Sequence, residues 1–327
     1  MKGWARHRHA WQGRQAVGEW RRVPGRLLSV LVLILGLAGC GGGPHSGVRD
    51  DDAGSHGPLA RLSAHSPDRP ELSLSYLARS PTTTTVRVDC GDGRQVEGEV
   101  RRVIFVHGTP GSAAAFRGYL LNGAEHRAFD LISVDRPGFG LTRPRHAVSS
   151  LAEQARALLP LLPDPSAGPK PILVGHSLGG PIIAKAAVMF AKRIGGLVVL
   201  AGAFDPGLER VHPLQYLGEA PPFVWLLSRS LRNANRELIP LKQELEVLRA
   251  ELPRIRQPMI VLHGTRDRLV PFVNTGYLPH FLKNSVRLEI RPLVGFDHFI
   301  PWSAPDAVWQ AIEDMDRWLR CAPSPAG

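Results

Sequence analysis

The chain reads as an α/β protein built on a mostly parallel, doubly wound sheet with a helical insertion. Three observations predict it. Short, almost wholly apolar runs recur along the sequence: Val103-Ile104-Phe105-Val106, Phe129 to Val134, Pro171-Ile172-Leu173-Val174, Leu197 to Leu200 and Met259 to Leu262. Such runs are strands buried on both faces, as in parallel sheets. Helix-like stretches over 113–120, 151–162 and 182–194 separate them, and strands alternating with helices argue βαβ units. Between Ala203 and Leu252 the alternation breaks, which marks an insertion.

Residues 1–26 are basic and hold no long apolar run. Leu27 to Gly39 is apolar but shorter than the roughly 20 residues a spanning helix needs, so it fits the h-region of a signal peptide. It ends in Leu37-Ala38-Gly39-Cys40, which resembles the lipobox of bacterial lipoproteins. That resemblance implies lipidation at Cys40, a membrane anchor and a place in the cell envelope, with the outer membrane favoured if the host has two. The Gly-, Pro-, Ser- and Asp-rich stretch that follows reads as a flexible tether. Leu72-Ser73-Leu74-Ser75-Tyr76-Leu77 alternates and predicts a half-exposed antiparallel edge strand.

The strand at 103–106 runs into His107-Gly108-Thr109-Pro110-Gly111. The strand at 171–174 runs into Gly175-His176-Ser177-Leu178-Gly179-Gly180, a G-x-S-x-G nucleophile elbow with Pro181 in the first turn of the next helix. A serine that attacks a carbonyl must stand clear of its backbone, and two N–H groups must face the oxygen that becomes negative. Leu178, directly after the serine, supplies one. Pro110 has no N–H, so Thr109 is the second donor in the earlier loop.

The serine needs a histidine to take its proton and a carboxylate to hold that histidine's tautomer. Chains with this elbow place the acid and then the histidine after the serine. Two strand ends offer acids. Asp267, in the short loop His263-Gly264-Thr265-Arg266-Asp267, is preferred. Asp205, which precedes Pro206, is the reserve. Of 13 histidines, His298 is the late one on a strand-end loop, after the strand predicted at 286–290, and it is the expected base. His280 falls in a helix expected over 271–284 and reads as a surface residue. Asp297 reads as structural.

Together with Asp135-Arg136-Pro137-Gly138-Phe139-Gly140 and Gly295-Phe296-Asp297-His298, these motifs resemble the α/β-hydrolase superfamily, in its cap-bearing branch, over about residues 71–320. The resemblance implies the α/β-hydrolase fold with a helical cap at about 203–255. It implies a serine hydrolase that acts on carboxylic ester or related acyl bonds with no cofactor, and it makes Asp135 a structural turn residue. A carbon–carbon bond hydrolase, an amidase or a cofactor-free haloperoxidase can use the same triad. A lipoprotein that kept the fold as a binding module is the non-enzymatic alternative. Ser177 stands where dehalogenases and epoxide hydrolases carry aspartate, against both.

Within the cap, Leu238, Leu241, Leu245, Leu248 and Leu252 form one apolar helical face, which either packs on the core or lines an acyl pocket. Phe223 to Leu227 form a second apolar cluster, open to the same pocket or to a membrane. The organisation expected is a leader at 1–39, a tether at 40–70, the hydrolase domain at 71–321 and a tail at 322–327.

The net charge is +11, of which residues 1–39 carry +6 and the remainder +5. A modest positive surface suits an anionic envelope better than nucleic acid, and no nucleic-acid motif, zinc-ligand spacing or P-loop is present. With Cys40 assigned to lipid, Cys90 and Cys321 are an even pair and a candidate disulfide in an oxidising compartment.

Overall fold

Val103 to Val106 is buried on both sides, and its side chains alternate between two cores. The structure, a computed structural model, describes residues 59–66, 69–122 and 129–322. The chain divides into two units, Met1–Pro44 and His45–Gly327, and every described residue lies in the second. The leader, the lipobox cysteine Cys40 and the 322–327 tail beyond Ala322 lie outside the described residues. Among the described residues no helix is long and apolar enough to cross a membrane.

Ten strands form. They are β1 (Ala60–Ser66), β2 (Arg69–Arg79), β3 (Thr85–Asp89), β4 (Gln95–Glu99), β5 (Arg101–Val106), β6 (Phe129–Val134), β7 (Ile172–His176), β8 (Gly196–Leu200), β9 (Met259–Gly264) and β10 (Leu288–Leu293). Eight make one sheet in the order β1-β2-β6-β5-β7-β8-β9-β10. β1 pairs antiparallel with β2, and β2 antiparallel with β6; the other pairings are parallel. This is the α/β-hydrolase arrangement expected.

The helices are α1 (Arg117–Leu121), α2 (Leu151–Arg156), α3 (Gly179–Met189), α4 (Pro213–Leu217), α5 (Phe223–Leu226), α6 (Arg229–Leu238), α7 (Leu241–Glu251), α8 (Leu278–Phe281), α9 (Ile300–Ser303) and α10 (Pro305–Cys321). Ile104, Val106, Leu173, Val199 and Val261 face α2, α3 and α7 on one side of the sheet. Val103, Phe105, Val174, Leu200 and Leu262 face Phe116, Tyr119 and α10 on the other. The period-2 alternation of each strand thus feeds two layers of helix.

Several sequence expectations are corrected. The tether expected to run to residue 70 ends earlier, because Ala60–Ser66 is a strand paired with Ala78 to Arg69. β2 is therefore internal to the sheet, and β1 is the edge. The β3–β4 hairpin was not expected; its valines, Val86, Val88 and Val96, are only half-buried among exposed polar residues and make too short a pattern to stand out. The helix expected over 151–162 ends at Arg156 and continues as a 3₁₀ turn at Leu159–Leu161, where Pro160 has no N–H to extend the ladder. The segment 271–284 is mostly a 3₁₀ helix, Phe272–Tyr277, followed by α8.

The apolar face of α7 packs on the core. Leu241, Leu245, Leu248 and Leu252 are buried beside Ile182 and Ile183 of α3. Phe223, Trp225 and Leu226 are exposed at 44%, 72% and 79%, and they line no core. Cys90, at the tip of the β3–β4 hairpin, is bridged to Cys321 at the end of α10, with the Cα atoms 5.6 Å apart.

Candidate active site

β7 ends at His176, and Ser177 takes φ +53°, a left-handed conformation rare outside glycine. Its N–H donates to Leu200 O at 2.9 Å, and its carbonyl accepts from Gly180 N at 2.9 Å as α3 begins. The turn is tight enough that a Cβ at Gly175 would strike the Gly179 backbone, and one at Gly179 would strike the Val106 carbonyl. Strand and helix cross here only because both positions are glycine.

The loop after β9 carries Asp267. Asp267 Oδ1 accepts from Leu269 N at 2.9 Å and Val270 N at 2.8 Å, which leaves Oδ2 for His298 Nδ1 at 2.8 Å. The two loops are laced together by Thr265 N to Leu293 O at 3.0 Å and Arg266 N to Phe296 O at 2.9 Å. His263 Nε2 donates to Val270 O at 2.8 Å and lies 3.3 Å from the same Asp267 oxygen. Burial alone would raise the Asp267 carboxyl. Hydrogen bonds from His263, His298 and the Val270 N–H outweigh it and hold the group well below the usual carboxylate range. An ionised carboxylate only accepts, so His298 Nδ1 carries a proton toward it, and the neutral ring in that tautomer has its lone pair on Nε2.

His176 joins this pair to the elbow. Its Nε2–H donates to the His298 carbonyl at 3.0 Å, and the two rings lie 4.9 Å apart. Trp302 closes over it edge-on at 5.5 Å. Burial, with a smaller contribution from neighbouring His298, pushes His176 down to about 3. It stays neutral and holds the His298 backbone against the residue that precedes Ser177.

The other wall is the His107–Gly111 loop. A Cβ on Gly108 would stand 2.8 Å from Ser177 Cβ, so this loop abuts the elbow directly. The Gly108 carbonyl accepts from His107 Nδ1 at 2.6 Å and Arg136 Nη2 at 2.9 Å. Arg136 also donates through Nε to His107 O at 2.9 Å, and its backbone N–H to His107 Nε2 at 3.1 Å. Burial and then the Arg136 charge hold His107 well below its ordinary value. Among the described residues no acceptor takes the N–H of Thr109 or of Leu178.

Some expected residues lie elsewhere. Asp205 Oδ1 accepts from Gly207 N at 2.8 Å and closes its own turn, while its backbone N–H donates to Asn274 at 3.1 Å. The carboxylate on His298 is Asp267. Asp297 accepts from Phe299 N at 2.9 Å. Asp135 ties its turn together by accepting from Ala113 N at 2.6 Å, Leu141 N at 3.0 Å and Arg61 at 2.7 Å. Among the described residues no cluster of His, Cys, Asp or Glu could hold a metal ion.

Sequence reasoning passed over Arg136, Glu237, His176 and His263. Three of them stand inside the motifs quoted above, at positions that carry no role there. Glu237 shares one face of α6 with Arg229 and Asn233, at steps of four. All three bond the Arg136–Gly140 turn, Asn233 to Gly138 O at 2.7 Å and Arg229 to Gly140 O at 3.2 Å. A polar face has no apolar period to betray it.

A serine on a strained elbow, a histidine–carboxylate pair beside it and two unclaimed N–H groups define a hydrolase-type site on this sheet. The alpha/beta hydrolase family matches residues 103–311, and the chain belongs to it. It is similar to the pimeloyl-[acyl-carrier protein] methyl ester esterase of Vibrio cholerae, 29% identical over 212 residues, which is 54% of this chain and 80% of that one. It is also similar to the AB hydrolase superfamily protein YisY of Bacillus subtilis, 28% identical over 68% of this chain and 91% of that one. Its fold is like that of the 2-hydroxy-6-oxo-6-phenylhexa-2,4-dienoate hydrolase of Rhodococcus sp. strain RHA1. The TM-score there is 0.56 at 19% identity, covering 79% of this chain and 99% of that one.

Proposed function

We propose that the protein is a serine hydrolase that cleaves carboxylic ester or related acyl bonds through an acyl-enzyme. The observation that carries this reading is the 2.8 Å bond from His298 Nδ1 to Asp267, held beside the Ser177 elbow by His176. Ser177 Oγ attacks the acyl carbon while His298 Nε2 takes its proton. The carbonyl oxygen becomes an oxyanion facing the Thr109 and Leu178 N–H groups. Collapse expels the alcohol, which receives the proton from His298. Water then attacks the acyl-enzyme, His298 takes a proton from it, and the acid leaves as Ser177 recovers its hydrogen. Asp267 stabilises the imidazolium in both halves. The esterase among the relatives supports the ester as substrate class.

Ser177→Ala is the test. It should remove labelling by a fluorophosphonate probe and lower kcat on a p-nitrophenyl ester on the order of 10⁶-fold. Undiminished labelling or turnover would refute Ser177 as the nucleophile.

We also propose that the mature chain begins at a lipidated Cys40 and works in the cell envelope. The Leu37–Cys40 sequence supports this, and the Cys90–Cys321 bridge fits an oxidising compartment. Intact mass of the membrane-extracted protein checks it. A mature chain without acyl mass on Cys40 would refute it.

A further inference from the structure

We propose that Glu237, on cap helix α6, is a positioning residue for the oxyanion hole and acts through Arg136. This rests on the serine-hydrolase reading above. In a planar trans peptide the carbonyl and the following N–H point in opposite directions. Whatever anchors the Gly108 carbonyl therefore aims the Thr109 N–H. Two donors anchor it, His107 Nδ1 at 2.6 Å and Arg136 Nη2 at 2.9 Å.

The Arg136 guanidinium is fixed at one edge by Nε on His107 O at 2.9 Å, and its Nη end needs a second anchor to aim Nη2 at Gly108 O. Glu237 fixes it with a two-pronged pair, Nη1 to Oε1 at 2.9 Å and Nη2 to Oε2 at 3.1 Å. Both side chains are 1% exposed, so water is not at hand to replace the carboxylate. Gln154 steadies the carboxylate in turn, donating to Glu237 Oε1 at 2.7 Å and to Val148 O at 2.7 Å. The buried Thr109 hydroxyl faces the same carboxylate without a well-formed hydrogen bond of its own. The cap thereby reaches the oxyanion donor through three groups in series, Glu237, Arg136 and the Gly108–Thr109 peptide, with Gln154 of α2 bracing the first. A rigid planar fork suits this task, and a lysine in its place has no such plane.

The obvious rival is that the pair only holds the cap to the core. Glu237→Gln keeps the shape and one acceptor but frees the fork, and Asp316→Asn is a matched control. Asp316 is buried against Arg101 at 2.6 Å, at the start of β5, the strand whose other end leads into the oxyanion loop.

Each variant is assayed well below its own melting temperature. Glu237→Gln should lower kcat about 10- to 100-fold, less than outright loss of an oxyanion donor. KM should stay within about twofold, as expected when an interaction made only in the transition state is weakened. Inhibition by a trifluoromethyl ketone, whose adduct carries an oxyanion, should weaken by the same factor as kcat. Asp316→Asn should lose stability and keep kcat. Gln154→Leu, which leaves the ion pair intact, gives a second reading if Glu237→Gln does not fold. A loss of about 3- to 10-fold in kcat is expected there.

Wild-type kcat and ketone affinity in a folded Glu237→Gln or Gln154→Leu protein would overturn the proposal while leaving the hydrolase reading intact. A wild-type protein that neither labels nor turns over esters would overturn both.

Discussion

His298 Nδ1 lies 2.8 Å from Asp267 Oδ2, and both groups are almost wholly buried. Asparagine at 267 would turn an amide donor or a neutral oxygen toward the ring and destabilise the tautomer that leaves Nε2 free. Asp267→Asn should cut kcat on the order of 10⁴-fold, the loss seen when a triad aspartate is so replaced in serine proteases. KM on the same ester should change little. A loss under tenfold would point to another acid.

Gly108, in the His107–Gly111 loop, stands directly against the elbow. A methyl there meets Ser177 Cβ at 2.8 Å and His176 O at 3.2 Å, so the loop or the serine must move. Gly108→Ala should lower kcat/KM by roughly 10²-fold, as small displacements at a reacting centre do. Gly118→Ala, where nothing lies within 4 Å, should leave the kinetics unchanged. Steady-state kinetics on one ester checks both.

His107 and His176 are both held neutral by burial. The unfolded chain binds protons at these positions below about pH 6.5 and the folded chain does not. Their contribution is thus fully present above that pH and is lost as pH falls, for His176 down to about 3. Between pH 6 and 5, stability from urea unfolding should fall by about 1.4 kcal/mol per pH unit for each histidine. A flat profile there would show that both titrate normally, and half the expected slope that one does.

The Cys90–Cys321 bridge closes 231 residues of chain. Cys90→Ser with Cys321→Ser should lower unfolding stability by about 2–4 kcal/mol. Because Cys90 and Cys321 lie on the hairpin tip and the end of α10, kcat on an ester should hold. Urea unfolding alongside ester kinetics separates the two effects.

The strand runs, the elbow and the strand-end loops were legible because each is a local string. Apolar runs bounded by glycine specify buried strands, and the spacing of glycines around Ser177 specifies a turn that only such residues permit. The candidate acids Asp205 and Asp267 both follow apolar strands, and the sequence ranks Asp267 first because Asp205 precedes Pro206. What brings Asp267 onto His298 is the lacing of the loop after β9 to the loop before His298, through Arg266 N and Phe296 O.

β1 was missed for a similar reason. Ala60 to Ser66 is largely polar, and its strand character comes from pairing with β2 rather than from its own pattern. The leucine face of α7 was visible as a period, but what it packs on was not.

Arg136 and Glu237 mark the boundary most sharply. They stand 101 positions apart, with no shared period or motif. Backbone turns, strand burial and helix faces are set by neighbours within a few residues, so the order of amino acids carries them. A partner reached by folding a cap back onto a distant loop depends on where two separate elements come to rest. The three-dimensional packing alone sets that distance, and it puts the arm that aims the Thr109 N–H in the cap.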